Sequence, residues 1–186
     1  MQKIQPKIKS IIQVLAAISL GLLCACASAP VQKWRSEPSN QAITGPGLRV
    51  VLEPLKENTE YFTGFRLTLH NDGQTPLTLD WNKTRYLHNG RDLGVFIYRG
   101  IDPATIQGNI PAEVVAAGSA FTQVIFPLRT IAFLPSSQMP QEGRRGFIPG
   151  VLPSGENGIR LALIRDGQES HQKLSLRLRA ETEPKK

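Results

Sequence analysis

The stretch FRLTLHNDGQTPLTLDW, residues 65–81, contains two runs of alternating apolar and polar residues separated by a turn. A period of two places every second side chain on the same face of a β-strand. The intervening Asn-Asp-Gly-Gln-Thr-Pro has the composition of a turn. We therefore predict a β-hairpin over 62–81 with one apolar face. Its apolar members are Phe65, Leu67, Leu69, Leu77, Leu79 and Trp81.

The same alternation recurs along the chain. It predicts a strand at 48–52 and a second hairpin in which 159–163 and 174–178 flank Asp166-Gly167. Further short strands are expected at 95–98, 121–126 and 130–134. No window of ten or more residues after residue 47 shows a helical stripe. Seven or eight strands in about 135 residues indicate an all-β fold, an antiparallel β-sandwich, with a small β-barrel as the alternative.

The stretch at 65–81 is also similar to the second and third strands of immunoglobulin-like domains in bacterial surface proteins. In those domains a strand ends in Asn, turns, and resumes with Pro-Leu, as Asn71 and Pro76-Leu77 do here. The resemblance covers about a quarter of the domain. It implies an immunoglobulin-like β-sandwich without the cysteine pair of antibody domains. It implies no active site, because a shared fold does not establish a shared function.

The first 26 residues have the layout of a signal peptide. Residues 1–10 are polar and contain three lysines, 11–23 are mostly apolar, and small residues and cysteine follow. A membrane-spanning helix needs about 20 apolar residues, so a permanent transmembrane segment is the weaker alternative. We expect residues 1–25 to be removed.

The only two cysteines lie in the sequence Leu23-Cys24-Ala25-Cys26. It resembles the lipobox of bacterial lipoproteins, which implies cleavage before Cys26 and attachment of a diacylglyceryl group to its thiol. A disulfide between residues so close is geometrically disfavoured, and zinc would need about four ligands. Because Ala27 stands where an Asp would signal inner-membrane retention, the resemblance implies, for a Gram-negative source, an outer-membrane lipoprotein facing the periplasm or the cell exterior.

The mature chain would then comprise a lipidated tether at 26–47, a domain at 48–180 and a disordered tail at 181–186. We expect Trp34 either to rest at the membrane interface or to pack on the domain. Loss of the leader removes three lysines and leaves 19 basic against 15 acidic residues, a balance of about +4. The charges are scattered, which argues against nucleic acid as a partner. A weak attraction to anionic membrane surfaces or cell-wall polymers remains open.

No catalytic or metal-binding constellation emerges from the polar residues. The sequence lacks a G-x-S-x-G motif, and His70, His88 and His171 have no ligand spacing. Asp80 adjoins bulky apolar residues, and we expect it to pair with an arginine such as Arg66 or Arg85. We predict no metal and no cofactor.

Two long connections, 100–118 and 135–158, are the better candidates for function, since long loops in compact domains are usually functional or disordered. The second contains Arg144, Arg145 and Phe147 among glycines and prolines. Two cations and an aromatic ring could bind an anionic partner, a glycan or a protein edge. The alternatives are disorder and packing over an open end of the sandwich.

These features favour a lipid-anchored, non-enzymatic binding or assembly module of the cell envelope, with an envelope protein or cell-wall component as its partner. Anchoring raises the effective concentration at the membrane, so a weak interface would suffice. A periplasmic enzyme acting on glycan or peptide is the first alternative, and a small-ligand carrier is the second. A deep polar pocket around Asp80, His70 or His88 would favour the enzyme.

Overall fold

The structure is a computed structural model that describes residues 32–101, 106–133 and 146–182. The predicted signal peptide, Cys26, Arg144 and Arg145 lie outside the described residues. The fold is all-β, and the described residues contain no α-helix. The strands are β1 (Gln32–Glu37), β2 (Gln41–Gly45), β3 (Leu48–Leu55), β4 (Gly64–His70), β5 (Leu77–Leu79), β6 (Arg85–His88), β7 (Arg91–Asp92), β8 (Phe96–Tyr98), β9 (Glu113–Val115), β10 (Ala120–Pro127), β11 (Ile131–Phe133), β12 (Phe147–Pro149), β13 (Gly155–Arg165) and β14 (Gln168–Thr182).

The strands form two antiparallel sheets and a ribbon. In the seven-stranded sheet, sheet A, the order is β1-β14-β13-β5-β9, with β6 paired to β13 and β7 paired to β6. In the five-stranded sheet, sheet B, the order is β2-β3-β4-β10-β8. Strands β11 and β12 form the two-stranded ribbon. A single 3₁₀ turn, Leu128–Thr130, connects β10 to β11.

The buried faces of the two sheets share one hydrophobic core. Sheet B contributes alternate residues of β3 and β4, and sheet A contributes those of β13 and β14. The ring of Tyr86 on sheet A meets that of Phe96 on sheet B edge to face, with centroids 5.7 Å apart. Because the whole core lies within one compact unit, Gln32–Thr182, we expect this unit to fold without the leader.

One of the two predicted hairpins is confirmed and the other is wrong. Strand β13 pairs along its full length with residues 168–178 of β14 around Asp166-Gly167, as predicted. Strands β4 and β5 lie in different sheets: β4 pairs with β3 and β10, whereas β5 pairs with β13 and β9. The apolar alternation fits a hairpin and two separate sheets equally well, because the leucines of β4 and β5 face the same core from its two sides.

The prediction of a flexible tether is wrong for residues 32–45. Strand β1 pairs with β14 from Gln32↔Thr182 to Glu37↔Arg177, and β2 pairs with β3. Trp34 is half-buried against the core, which agrees with packing on the domain. Residues 181 and 182, assigned to a disordered tail, are the last two residues of β14. An edge strand with one apolar anchor and several charges has the composition of a linker, and this explains the error.

The long connections contain more structure than predicted. The 100–118 connection contains β9, which begins at Glu113, close to the strand expected from Val114 onward. The 135–158 connection contains β12, and β13 begins at Gly155 within it. The strands at 95–98, 121–126 and 130–134 are present within one or two residues where the structure describes them.

Candidate functional site

The ribbon of β11 and β12 lies at the base of the segment that carries Arg144 and Arg145. Its register pairs Ala132 with Ile148 and Phe133 with Phe147, so each pair shares a face. Phe147 is 7% exposed and meets Phe126 edge to face at 5.3 Å. The ring of Phe147 therefore joins the ribbon to the core, against which Ile131 of β11 also packs.

The base of the ribbon is held by backbone contacts as well. The Gly150 amide donates to the Thr130 carbonyl at 2.7 Å, and the Leu152 amide donates to the Phe62 carbonyl at 2.8 Å. A Cβ at residue 150 would lie 2.2 Å from the Thr130 oxygen, so only glycine fits there. Leu152 is fully buried. These contacts fix the position from which the ribbon projects.

Large apolar side chains are exposed on and directly after the ribbon. Ile148 is 57% exposed, Phe133 is 48% exposed and Val151 is 44% exposed. We call these three residues the ribbon patch; the register places Phe133 on the same face of the ribbon as Phe147 and Ile148 on the opposite face. Single exposed apolar residues are common on protein surfaces, but a group of them on one short element is typical of an interaction site.

Of the three residues that the sequence grouped as a binding trio, Phe147 alone lies within the described part of the chain. Phe147 is buried in the core, and the Arg99 guanidinium lies over its ring at 5.3 Å, so little of the ring is exposed. The exposed neighbour, Ile148, was missed. The signal for it was the period of two: if Phe147 packs inward, the next residue must point outward.

Asp80 has a structural role that differs from the expected ion pair. Its Oδ1 accepts hydrogen bonds from the Asn82 amide at 2.9 Å and the Lys83 amide at 3.3 Å, which stabilises the turn after β5. Its expected partners bind other acids: Arg66 pairs with Glu53, and Arg85 lies 3.8 Å from Asp92. The Asp80 carboxylate therefore belongs to the turn.

The three histidines lie apart from one another. His88 contacts the Ser154 carbonyl, His171 lies 3.3 Å from Glu169, and His70 is on the outer side of β4. No group of three metal-ligating side chains exists within the residues that the structure describes. Glu169 also accepts from Lys83, and this hydrogen bond raises the pKa of the lysine.

Two shallow depressions border β14 and β13. The larger, of about 470 Å³, is lined by Ser154, Gly155 and residues 177–181. The smaller, of about 150 Å³, lies between Leu48, Leu77, Leu163 and Arg165. The Arg165 guanidinium donates to the carbonyls of Pro46 and Gly47 and to Asn71 Oδ1, so it holds two loops together.

Comparison with protein-family models, curated proteins and solved structures finds no match. Within the described part of the chain, no helix is long and apolar enough to cross a membrane.

Proposed function

We propose that this chain is a lipid-anchored lipoprotein of the cell envelope, held by Cys26 at the outer membrane, that binds another envelope protein without catalysing a reaction. The observation that carries the binding role is the ribbon patch, three large apolar side chains exposed on a short element whose base is fixed to the core. Fixed apolar residues are suited to binding, because little conformational entropy is lost when they are covered.

The charge of the segment that follows β11 in the sequence indicates the partner. The segment between β11 and β12 contains Arg144 and Arg145 and one acid, Glu142. Interfaces commonly combine an apolar centre with arginines. We therefore expect a protein surface with an apolar contact bordered by carboxylates.

Site-specific crosslinking in intact cells tests the binding role. A photoreactive residue at position 148 should capture a discrete protein partner, whereas one at Thr122, exposed on the outer side of sheet B, should not. Co-purification of that partner from detergent-solubilised membranes should be lost with Ile148→Ser/Val151→Ser and weakened with Arg144→Ala/Arg145→Ala. Identical capture at both positions would contradict the role of the ribbon.

The lipid anchor has a separate test. Cys26→Ala should block cleavage of the leader and incorporation of labelled lipid, whereas Cys24→Ala should leave both intact. The chain has no other cysteine, so the label reports on these positions alone. Labelled lipid in the Cys26→Ala variant would overturn the assignment.

We also infer that the two sheets form an immunoglobulin-like β-sandwich. The orders β3-β4-β10-β8 and β5-β13-β14 match the ABED and CFG sheets of that fold, with β4 and β5 as strands B and C. An experimental structure in which β4 and β5 pair with each other would contradict this inference.

A further inference from the structure

Three cations lie side by side on the outer face of sheet A. Arg160 on β13 is directly opposite Arg85 on β6 and directly opposite Lys173 on β14. Like charges directly opposite each other on neighbouring strands destabilise a sheet. Asp92 contacts both arginines, at 3.0 Å from Arg160 and 3.8 Å from Arg85. Lys173 makes no ion pair with any described residue, so the cluster has unbalanced positive charge.

A second cationic group lies toward the start of β1. Arg35 is directly opposite Arg179, and each is neutralised diagonally, by Glu181 at 2.9 Å and by Glu37 at 3.3 Å. Arg177, the next outward residue on β14, is exposed and has no ion pair among the described residues. Arg177 lies directly opposite Glu37 on β1 and Glu156 on β13, so the excess positive charge on β14 is centred on Lys173.

The outer face of sheet B has far fewer charges. Its strands present Arg49, Arg66 and Glu53, together with His70. The strands of sheet A present more charges on their outer face. They are the cations Lys33, Arg35, Arg85, Arg160, Lys173, Arg177 and Arg179 and the acids Glu37, Asp92, Glu156, Glu169 and Glu181. These strand residues carry a net charge of +2 on sheet A and +1 on sheet B with His70 neutral, so an anionic surface would be attracted somewhat more strongly to sheet A.

The start of β1 limits how far the domain can lie from a lipid on Cys26. Only six residue steps separate Cys26 from Gln32, and an extended chain spans at most about 3.6 Å per step, or roughly 22 Å. Antiparallel pairing places Thr182 beside Gln32, so the two ends of the domain lie together. Electrostatic attraction to headgroups extends over about 10 Å, which this distance allows.

We propose that the outer face of sheet A lies on the anionic lipid headgroups of the membrane that holds the Cys26 lipid. This inference rests on the proposed anchor. Lys173 and Arg177 are the cations available to phosphates without breaking an ion pair with a described residue. The orientation leaves the outer face of sheet B away from the bilayer.

Fluorescent labels on the mature, lipidated chain in vesicles test this orientation. Because the domain contains no cysteine, Ser175→Cys on sheet A and Thr68→Cys on sheet B allow labels at matched half-buried positions on the two outer faces. With phosphatidylglycerol present, a headgroup-attached quencher should quench the label at 175 several-fold more than the label at 68. Vesicles of phosphatidylcholine alone should reduce this difference.

Variants with reversed charges provide a second test in the same quenching experiment. Lys173→Glu/Arg177→Glu should remove the excess quenching at position 175, whereas Arg49→Glu, an equally exposed arginine on sheet B, should leave it unchanged. Equal quenching at both positions, or no response to charge reversal, would overturn the orientation while leaving the anchor intact. Failure of the chain to float with vesicles would overturn the anchor and the orientation together.

Discussion

The turn at 71–76 carries the chain from sheet B to sheet A, whereas the turn at Asp166-Gly167 returns it within sheet A. The two turns lie at the same end of the molecule and are hydrogen-bonded to each other, through Arg165 to Asn71 and through Thr75 to Asp166. Their difference shows what sets the path of the chain between strands of similar composition.

The turn at 71–76, which we call the crossing turn, is organised around one buried side-chain amide. Asn71 is fully buried, and its Nδ2 donates to the carbonyls of Thr75 and Val115, both at 2.9 Å. Its Oδ1 accepts from the Gly73 amide and from Arg165. One side chain thus connects the end of β4, the turn, β9 on sheet A and the end of β13.

The hairpin turn depends on backbone conformation instead. Asp166 and Gly167 have φ angles of 50° and 76°, the left-handed values that a two-residue type I′ turn requires. Asp-Gly is a preferred sequence for such a turn, and its twist matches that of the strands. A local preference is sufficient here, whereas the crossing turn needs contacts from three other segments.

The largest effect is expected from Asn71→Ala. It would leave the buried Val115 carbonyl, the partly buried Thr75 carbonyl and the Gly73 amide without their partner, so we expect a loss of about 3 kcal/mol in the free energy of unfolding. Urea unfolding of the domain would measure it. Asn109→Ala, at an exposed asparagine without hydrogen bonds to described residues, is the control and should change little. Equal losses of unfolding free energy in the two variants would contradict the role of Asn71 in organising the turn.

Arg165→Met should have the second largest effect. Methionine retains an apolar stem but loses the hydrogen bonds to Pro46, Gly47 and Asn71, and we expect a loss of about 2 kcal/mol. Arg66→Met removes an exposed ion pair with Glu53 and should cost about 0.5 kcal/mol or less. A similar loss in both variants would mean that the arginine does not couple the turns.

Gly167→Ala tests the hairpin turn alone. A methyl group would meet no atom within 4 Å, so the cost should be purely conformational, about 1 kcal/mol, because alanine disfavours a φ of 76°. Gly45→Ala is the matched control, since it also meets no atom within 4 Å and does not have a positive φ. We expect the unfolding free energy of the Gly45→Ala variant to equal that of the unchanged protein within error.

Local patterns predicted the faces of the strands well and their partners less well. Alternation identified the inward residues of β4, β5 and β14, because a strand buried on one face has an apolar residue at every second position. It did not reveal that β4 and β5 lie in different sheets, because Asn71 acts through Val115 and Arg165, which are distant in sequence. Long-range contacts of this kind leave no local pattern.

The candidate site was predicted only in outline. The segment around Arg144 and Arg145 was selected for its length and composition, but the burial of Phe147 was not foreseen, because glycine and proline neighbours conceal the short strand β12. Strand β1 was missed for a similar reason, since a charged edge strand has the composition of a linker. Both errors concern short strands stabilised by partners elsewhere in the chain.

The smallest effect is expected from the direct contact between the two turns. Thr75 Oγ1 donates to Asp166 Oδ2 at 3.2 Å on an exposed surface, so Thr75→Val and Asp166→Asn should each change the unfolding free energy by about 0.5 kcal/mol or less. Asparagine tolerates the left-handed conformation at 166, so the backbone should be unaffected. A double-mutant cycle should give a coupling of about 0.3 kcal/mol. A coupling as large as the effect of Arg165→Met would show that the surface contact, rather than the Arg165–Asn71 contact, joins the turns.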